Sequence, residues 1–135
     1  MASRPLPLFE PNEARDYALA AARIGGEDAM PYVASLLSSP NPFTRANGVM
    51  ALPETGSRRA VPILIELLRN SEMAVARLAS IGLVRLTHRN PLTDNRWYSD
   101  DPANEYQVWA DWWMARGADA AIYGSGECDD IEPLK

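Results

Sequence analysis

Apolar positions along the chain repeat with a period of about 31 residues. Residues 29–37 match residues 60–68 at an offset of 31, and eight of the nine aligned columns are identical or apolar in both copies. A partial third copy of residues 45–55 follows at an offset of 32. Apolar residues in these windows recur at i, i+4 and i+7, the spacing of one face of an amphipathic helix. The pattern predicts pairs of helices, no strand and therefore an all-α protein.

Turn and capping residues set the limits of the predicted helices. Asn41 stands where an N-cap side chain would accept a backbone N–H bond. Gly25 and Gly56 are predicted to take the left-handed conformation that ends a helix. Pro31 and Pro62 fit only the opening turn of a helix, because an interior proline would break it. The predicted helices span residues 12–24, 28–38, 42–54, 59–69, 72–87 and 102–116.

The last predicted helix follows a long inserted loop. Its tryptophans, Trp109, Trp112 and Trp113, align at an offset of 45 with the leucines of the second unit, which leaves 13 extra residues in the loop 88–101. Because i, i+3 and i+4 share one helical face, we expect these tryptophans to be a structural cap on the end of the array. An aromatic ligand pocket is the alternative.

The residues from Asn41 to Leu68 resemble the short HEAT repeat, the variety of about 30 residues also found in phycobilisome lyases. The resemblance is carried by Asn41, Pro42, Phe43, Thr44, Arg45, Ala51, Leu52, Gly56, Ala60, Val61, Pro62, Leu67 and Leu68. It extends over about residues 12–116 and implies antiparallel helix pairs stacked into a short right-handed α-solenoid of about three pairs. Pro53 departs from the family pattern, and we expect it to end its helix early or to kink it.

Composition and charge narrow the class of protein. The chain has 135 residues, 47% of them hydrophobic, which predicts one domain with a modest core. Residues 1–90 carry a net charge of +2 and residues 91–135 one of −7, so no basic field favours nucleic acid. The sequence divides into an extended N-terminal arm (1–11), a repeat domain (12–116) and an extended acidic tail (117–135).

The sequence contains no recognisable catalytic set. It has one histidine, His88, and one cysteine, Cys128, which excludes an internal disulfide framework and a cysteine-based zinc site. His88 falls in the column of Gly56, so we expect a structural role just past a helix end. We expect no enzyme activity, no cofactor and no metal. The first residues lack the apolar run of a signal peptide, and we expect a cytoplasmic protein without a membrane segment.

Arginines and loop aromatics are the candidate functional residues. Arg45 and Arg77 share a repeat column, and we expect a structural ladder of hydrogen bonds, with a phosphate-binding stripe as the alternative. Arg58, Arg59 and Arg89 fall near helix ends, and together with Arg69 and Arg85 they could form one rim that binds an acidic partner or the protein's own tail. In the inserted loop, Trp97 and Tyr98 are candidates for partner contact, with packing equally open.

These features favour a non-enzymatic HEAT-like scaffold that binds another protein. The partner could be a larger complex or a second copy of the chain, because a short solenoid has two exposed ends. The resemblance also implies an alternative, a bilin lyase-like factor for chromophore attachment. Nucleic-acid binding is less favoured, because the surroundings of the arginines are not strongly basic.

Overall fold

The computed structural model describes residues 11–91, 101–123 and 132–133. These contain the helices α1 (Pro11–Gly25), α2 (Met30–Leu37), α3 (Pro42–Ala51), α4 (Ala60–Leu67), α5 (Met73–Thr87) and α6 (Pro102–Arg116), with 3-10 turns at Gly26–Ala29 and Pro53–Thr55. The prediction of an all-α, HEAT-like solenoid is confirmed. Helix limits lie within two residues of those predicted, except that α3 ends three residues early, at the 3-10 turn that Pro53 begins.

The first helices of the pairs, α1, α3 and α5, pack side by side, and α2 and α4 pack against α3 and α5. The C-terminal ends of α1, α3 and α5 lie at one edge of the array, which we call the upper edge. The edge at which α2 and α4 end is the lower edge. The hydrophobic core lies between the helices, and its largest fully buried side chains include Trp109, Met30, Leu52, Leu64 and Leu83.

Two glycines allow close packing between helices. A Cβ atom on Gly48 of α3 would lie 2.9 Å from the Cβ of Leu36 in α2. A Cβ atom on Gly82 of α5 would lie 2.8 Å from the Cγ of Pro53. Both distances are shorter than two carbon atoms tolerate. The helices can approach this closely because glycine has only a hydrogen atom in place of Cβ at each position.

A residue in the left-handed conformation follows the end of each first helix, at Gly26, Gly56 and His88. The prediction for Gly56 is confirmed, and the one for Gly25 is wrong. Gly25 stays in the right-handed region with φ −80°, because the chain continues from it into the 3-10 turn, and Gly26 takes φ 55° instead. His88 adopts φ 54°, where an ordinary L-residue is strained by about 1 kcal/mol or more.

Helix α6 packs against α4 in the antiparallel direction. Near the start of α6, the Tyr106 hydroxyl donates to Glu66 Oε1 at 2.9 Å, close to the end of α4. At the other end, Arg58, just before α4 begins, donates to the carbonyl oxygens of Gly117 and Ala120. The contacts therefore run in opposite orders along the two helices.

Because α4 is itself antiparallel to α5, α6 runs parallel to α5. The third pair is therefore not the antiparallel hairpin that the resemblance implies, and the expected alignment of the α6 tryptophans with the α4 leucines is wrong. The inserted loop explains how the chain can reverse. The 15 residues of α5 are about 22 Å long. The 14 residues of the loop 88–101 can span up to about 46 Å, enough to return the chain to the lower edge.

The described part of the tail returns to the upper edge. Residues Arg89–Asn90 form a short strand, β1, that pairs in parallel with β2, Glu132–Pro133. The backbone N–H of Tyr123 donates to the Leu86 carbonyl oxygen at 2.8 Å. The hydrophobic pattern gives no sign of this strand pair, because two residues are too few to show a period.

Candidate functional site

A buried carboxylate joins two arginines at the upper edge. Arg23 donates from Nε and Nη2 to Glu54 Oε1, at 2.9 and 2.6 Å. Arg85 donates from Nη2 to Glu54 Oε2 at 2.9 Å. The Glu54 side chain is 1% exposed, whereas those of Arg23 and Arg85 are 52% and 39% exposed. One carboxylate thus fixes two guanidinium groups that still face solvent.

The repeat period explains this arrangement. Arg23, Glu54 and Arg85 follow one another at intervals of 31 residues, so they occupy one column in three successive units. Arg23 and Arg85 lie in the last turns of α1 and α5, where a positive charge is favoured by the helix dipole. Because this column combines opposite charges, a comparison of residue types between the repeat units does not reveal it. Only the constant spacing of 31 residues reveals it.

A second acidic residue positions Arg59 on the same edge. Glu27, in the turn after α1, accepts hydrogen bonds from Ser57 Oγ at 2.8 Å. Arg59 Nη1 lies 3.4 Å from Glu27 Oε2, and its side chain is 67% exposed. Arg59 therefore contributes an accessible guanidinium beside the turn between α3 and α4.

Arg58 holds the start of the tail. Its Nη1 and Nη2 groups donate to the carbonyl oxygens of Gly117 and Ala120, the second at 2.6 Å. Its guanidinium carbon lies 5.8 Å from the ring centroid of Trp113, within cation–π range. The sequence also makes Arg58 a candidate for partner binding, and in this structure its Nη1 and Nη2 groups each make one hydrogen bond within the chain.

Arg89 stands where the tail meets a cleft. Its backbone belongs to β1, in register with Glu132 of β2. Arg89 also lines a cleft of about 580 Å³, together with Trp112, Ala115, Arg116, Asp119, Ala120 and Ala121. The cleft therefore lies between the end of α6 and the strand that follows α5.

Together these residues form what we call the arginine cluster of the upper edge, Arg23, Arg58, Arg59, Arg85 and Arg89. The acidic residues in the described part of this edge are Glu27, Asp28, Glu54, Asp119 after α6 and Glu132 of β2. When Arg116 at the end of α6 is counted with the cluster, six arginines stand against five carboxylates, so this edge has one positive charge in excess in a chain whose net charge is −5. Arg69, expected on the same rim, lies at the lower edge because it follows the end of a second helix, α4.

At the lower edge, Arg69 and its neighbours connect α4 to α6. Arg69 Nη2 donates to Glu66 Oε2 at 2.7 Å, and its guanidinium carbon lies 3.8 Å from the ring centroid of Tyr106. Hydrogen bonds from Arg69 and then from Tyr106 lower the pKa of Glu66. The bond to Glu66 raises the pKa of Tyr106. These contacts fix the start of α6.

The two arginines of the expected structural ladder have different surroundings. Arg45 donates to both carboxylate oxygens of Glu72, at 2.8 and 2.9 Å, and to the Ser39 carbonyl oxygen at 2.8 Å. This hydrogen bonding lowers the pKa of Glu72 and raises that of Arg45. Arg77 is exposed on α5 and has no hydrogen-bond or ion-pair partner among the described residues. The structural role of Arg77 stays a prediction.

The aromatic candidates fall into three groups. Trp109 is fully buried and Trp112 is 6% exposed, and both belong to the core. Trp113 is half-buried and packs against that core. Trp97 and Tyr98 lie outside the described residues, so their proposed partner contact stays a prediction.

His88 and Tyr123 form a stacked pair that the sequence does not reveal. Their ring centroids are 3.6 Å apart and their planes differ by 1°. His88 is buried, and its Nε2 atom has no hydrogen-bond partner among the described residues. The pair attaches the tail to the end of α5.

The described residues contain no group of three or more His, Cys, Asp or Glu side chains arranged to hold a metal ion. None of their helices has both the length and the apolar content needed to cross a membrane.

The stacked helix pairs and the turns at the upper edge define a helical-repeat protein. A family model described as HEAT repeats matches residues 9–84, more than half of the chain, so the chain belongs to the HEAT-repeat family. The match ends within α5, before the loop after which α6 reverses. The comparison with curated proteins and the comparison with solved structures gave no match.

Proposed function

We propose that this HEAT-repeat protein is a non-enzymatic scaffold that binds an acidic segment of a partner protein through the arginine cluster of the upper edge. The observation that carries the proposal is the pair Arg23 and Arg85, held by buried Glu54 while their guanidinium groups remain partly exposed. HEAT repeats commonly serve as protein-interaction scaffolds, and the proposal names the surface that would do so here.

Fixed arginines suit this role because binding then costs little side-chain entropy. Ordering a long side chain at an interface costs about 0.5–1.5 kcal/mol. Glu54 has already ordered Arg23 and Arg85, and each guanidinium retains N–H groups that Glu54 does not use. Such groups pair with carboxylates in a bidentate geometry.

The charge balance favours a protein segment over nucleic acid. The acidic residues Glu27, Asp28, Glu54, Asp119 and Glu132 offset most of the positive charge on this edge, and the whole chain is acidic. Nucleic-acid affinity depends on many phosphate contacts and the counterions they release. A short acidic peptide requires fewer contacts, and arginine is enriched at protein interfaces.

The inserted loop is a second candidate for partner contact. It joins β1 at the upper edge to the start of α6 at the lower edge, and it contains Trp97 and Tyr98. Loop aromatics are frequent anchors at interfaces. We therefore propose Trp97 and Tyr98 as partner-binding residues in addition to Arg58, Arg59 and Arg89.

A peptide-binding measurement with matched arginine variants tests the proposal. The probe is a fluorescein-labelled peptide of alternating Glu and Gly, followed by anisotropy. Arg59→Glu removes an accessible member of the cluster, whereas Arg77→Glu makes the same charge change on the exposed face of α5. We expect Arg59→Glu to weaken binding by about tenfold and Arg77→Glu by less than about threefold.

Two outcomes would contradict the proposal. Equal losses in the two variants would mean that the peptide senses total charge and not the upper edge. Stronger binding of a DNA duplex, lost in Arg59→Glu, would assign the cluster to nucleic acid instead. A bilin lyase-like role has the family resemblance as its only support, and the absorption spectrum of a bilin mixed with the protein tests it separately.

A further inference from the structure

We infer that the outward face of α1 is an interface between two copies of this chain, which pair through α1 in an antiparallel, two-fold arrangement. The observation that carries the inference is a difference in burial between corresponding positions of α1, α3 and α5. The inference goes beyond the proposed function and does not depend on it, because it concerns the first helix of the array and not the binding of an acidic segment.

Three columns of the repeat form the surface by which one helix pair stacks on the pair before it. In the second and third units, all six residues of these columns are buried: Gly48, Ala51 and Thr55, then Ala79, Gly82 and Leu86. The two glycines show where this surface points. A Cβ atom on Gly48 would meet Leu36 of α2, and one on Gly82 would meet Leu64 of α4. In both units the columns therefore face the preceding helix pair.

The same three columns are exposed in α1. They hold Tyr17, Ala20 and Ile24, each 31 residues before its counterpart in the second unit. Ile24 is 88% exposed, whereas Leu86 in the same column is fully buried. Tyr17 contacts the ring of Tyr32 edge-on and is still 55% exposed. The stacking surface of α1 thus presents apolar side chains to solvent.

The difference between the two ends of the array favours a second copy of α1 as the occupant. At the other end, α6 covers α4 and α5 and contributes the buried Trp109 and Trp112 to the core. The stacking surface is therefore accessible on α1 and covered at the other end of the described array. A contact that uses the same face of α1 on both copies is isologous, and it closes as a dimer.

The side chains of α1 match when the two copies are antiparallel. Tyr17, Ala20 and Ile24 form one row, at i, i+3 and i+7. Asp16, Ala20 and Arg23 form a second row, at i, i+4 and i+7, so the rows cross at Ala20. A two-fold axis at Ala20 places Tyr17 beside Ile24 of the second copy and Asp16 beside Arg23 of the second copy. A parallel arrangement would set each charged side chain against an apolar one, which costs desolvation energy without a partner.

Asp16 and Arg23 are accessible for this ion pair. The Asp16 side chain is exposed and lies 3.6 Å from Arg15 on the same helix. Arg23 uses Nε and Nη2 for Glu54, which leaves Nη1 for a carboxylate of the second copy. Glu13 lies a further turn from the centre of the face, where crossing helices diverge. The charges near the centre are therefore complementary.

The dimer should be weak, because one helix face is small. A stable interface buries about 800 Å² on each partner, more than a face of two turns offers. We therefore expect a dissociation constant of about 100 µM. The small side chain of Ala20 at the centre allows the two helices to approach closely.

Sedimentation velocity with matched lysine variants tests the inference. Ile24→Lys places a charge in the proposed interface, whereas Met114→Lys makes the same kind of change on α6, at a residue that is equally exposed. Neither change should unfold the protein, because both side chains face solvent. We expect wild type and Met114→Lys to dimerise as the concentration rises from about 5 to about 500 µM, and Ile24→Lys to associate at least about tenfold more weakly.

Disulfide cross-linking tests the two-fold arrangement. In a Cys128→Ser background, the two copies of an Ala20→Cys variant should be linked by oxidised glutathione. The reason is that a two-fold axis at this residue brings the two Cα atoms within the disulfide range of about 4.4–6.8 Å. Met114→Cys, in the same background, is the control for random collision, and we expect much less cross-linked dimer from it.

Several outcomes would overturn the inference. They are a monomeric wild type throughout the concentration range, equal association of the two lysine variants, and equal cross-linking of the two cysteine variants. A monomeric wild type would leave residues 1–10, which lie outside the described residues, as the other candidate occupant of this face. Arg59→Glu tests the proposed function and should not change dimerisation, so either proposal can fail while the other stands.

Discussion

Arg23 and Glu54 are separated by 31 residues, one repeat length, and are joined by two hydrogen bonds of 2.9 and 2.6 Å. The next member of the column, Arg85, completes the contact on the other oxygen of the same carboxylate. The last turns of α1 and α5 are therefore connected through the turn that follows α3. Stability and the geometry of the arginine cluster both depend on Glu54.

Replacing Glu54 should destabilise the fold. Glu54→Ala removes three charge-assisted hydrogen bonds at a side chain that is 1% exposed. Because the freed arginines can be hydrated, we expect a loss of about 2–3 kcal/mol in the free energy of unfolding, below the value for a fully buried ion pair. Urea denaturation measures this loss in the free energy of unfolding. Asp16→Ala, at an exposed position on α1, is the control, and equal stability of the two variants would refute the prediction.

The left-handed residue at the end of α5 should prefer glycine to alanine. At φ 54°, a Cβ atom strains the backbone, whereas glycine is unstrained. We expect His88→Gly to be more stable than His88→Ala by about 1 kcal/mol, since both lose the stack with Tyr123. At Arg77, inside α5, we expect the alanine variant to be more stable than the glycine variant, because alanine is the better helix former. Thermal unfolding of the four variants measures these differences in stability. If the alanine variant were more stable than the glycine variant at both positions, the left-handed conformation of residue 88 would be disproved.

Spin-label distances should show the reversed direction of α6. In a Cys128→Ser background, labels at Pro62 and Met114 should be closer than labels at Pro62 and Ala103, because Pro62 lies near the start of α4 and α6 is antiparallel to it. Positions 103 and 114 are about 16 Å apart along α6. Double electron–electron resonance can resolve this difference. The reverse order of distances would mean that α6 runs parallel to α4, as in a regular repeat.

The ion pair between Arg45 and Glu72 at the lower edge should give a pH-dependent contribution to stability. Hydrogen bonding from Arg45 lowers the pKa of Glu72, so the folded state favours the carboxylate. The stabilisation is complete above the ordinary pKa of about 4.5 and is lost as the pH falls through the lowered pKa. Arg45→Gln should raise the pKa of Glu72 towards its ordinary value, measurable by carbon-13 NMR titration. Arg77→Gln should leave it unchanged, and an unchanged pKa in Arg45→Gln would contradict the assignment.

The helices could be predicted because their signals are local. Asn41 illustrates this, since its Oδ1 accepts the N–H of Phe43 at 2.8 Å, as expected of an N-cap. Pro53 likewise ends α3 early, because it cannot donate to the helical ladder. Periodicity and capping act within a few residues, and a sequence records both directly.

The direction of α6 could not be predicted, because a loop of this length permits either direction. The sequence shows that Trp109, Trp112 and Trp113 share a face, but both orientations of the helix would bury that face. The choice depends on contacts at the two ends, through Tyr106 and Arg58. These are long-range contacts, and no local pattern contains them.

The candidate site was predicted only in part for a similar reason. Arg58, Arg59, Arg85 and Arg89 are predicted from their positions near helix ends, but Arg23 and the linking residue, Glu54, are not. Nothing in the sequence marks oppositely charged residues of one repeat column as partners, and this column alternates in charge between Arg23, Glu54 and Arg85. Arg45 pairs with Glu72, 27 residues away, outside any column.

The reversed α6 makes the two ends of the helical array unequal. A regular second helix would present the direction that the next pair needs in order to stack, and α6 presents the opposite one. The regular stacking of antiparallel pairs therefore ends with α5, and α6 covers that end of the array in the opposite direction. The pair α1 and α2 at the other end keeps the regular direction.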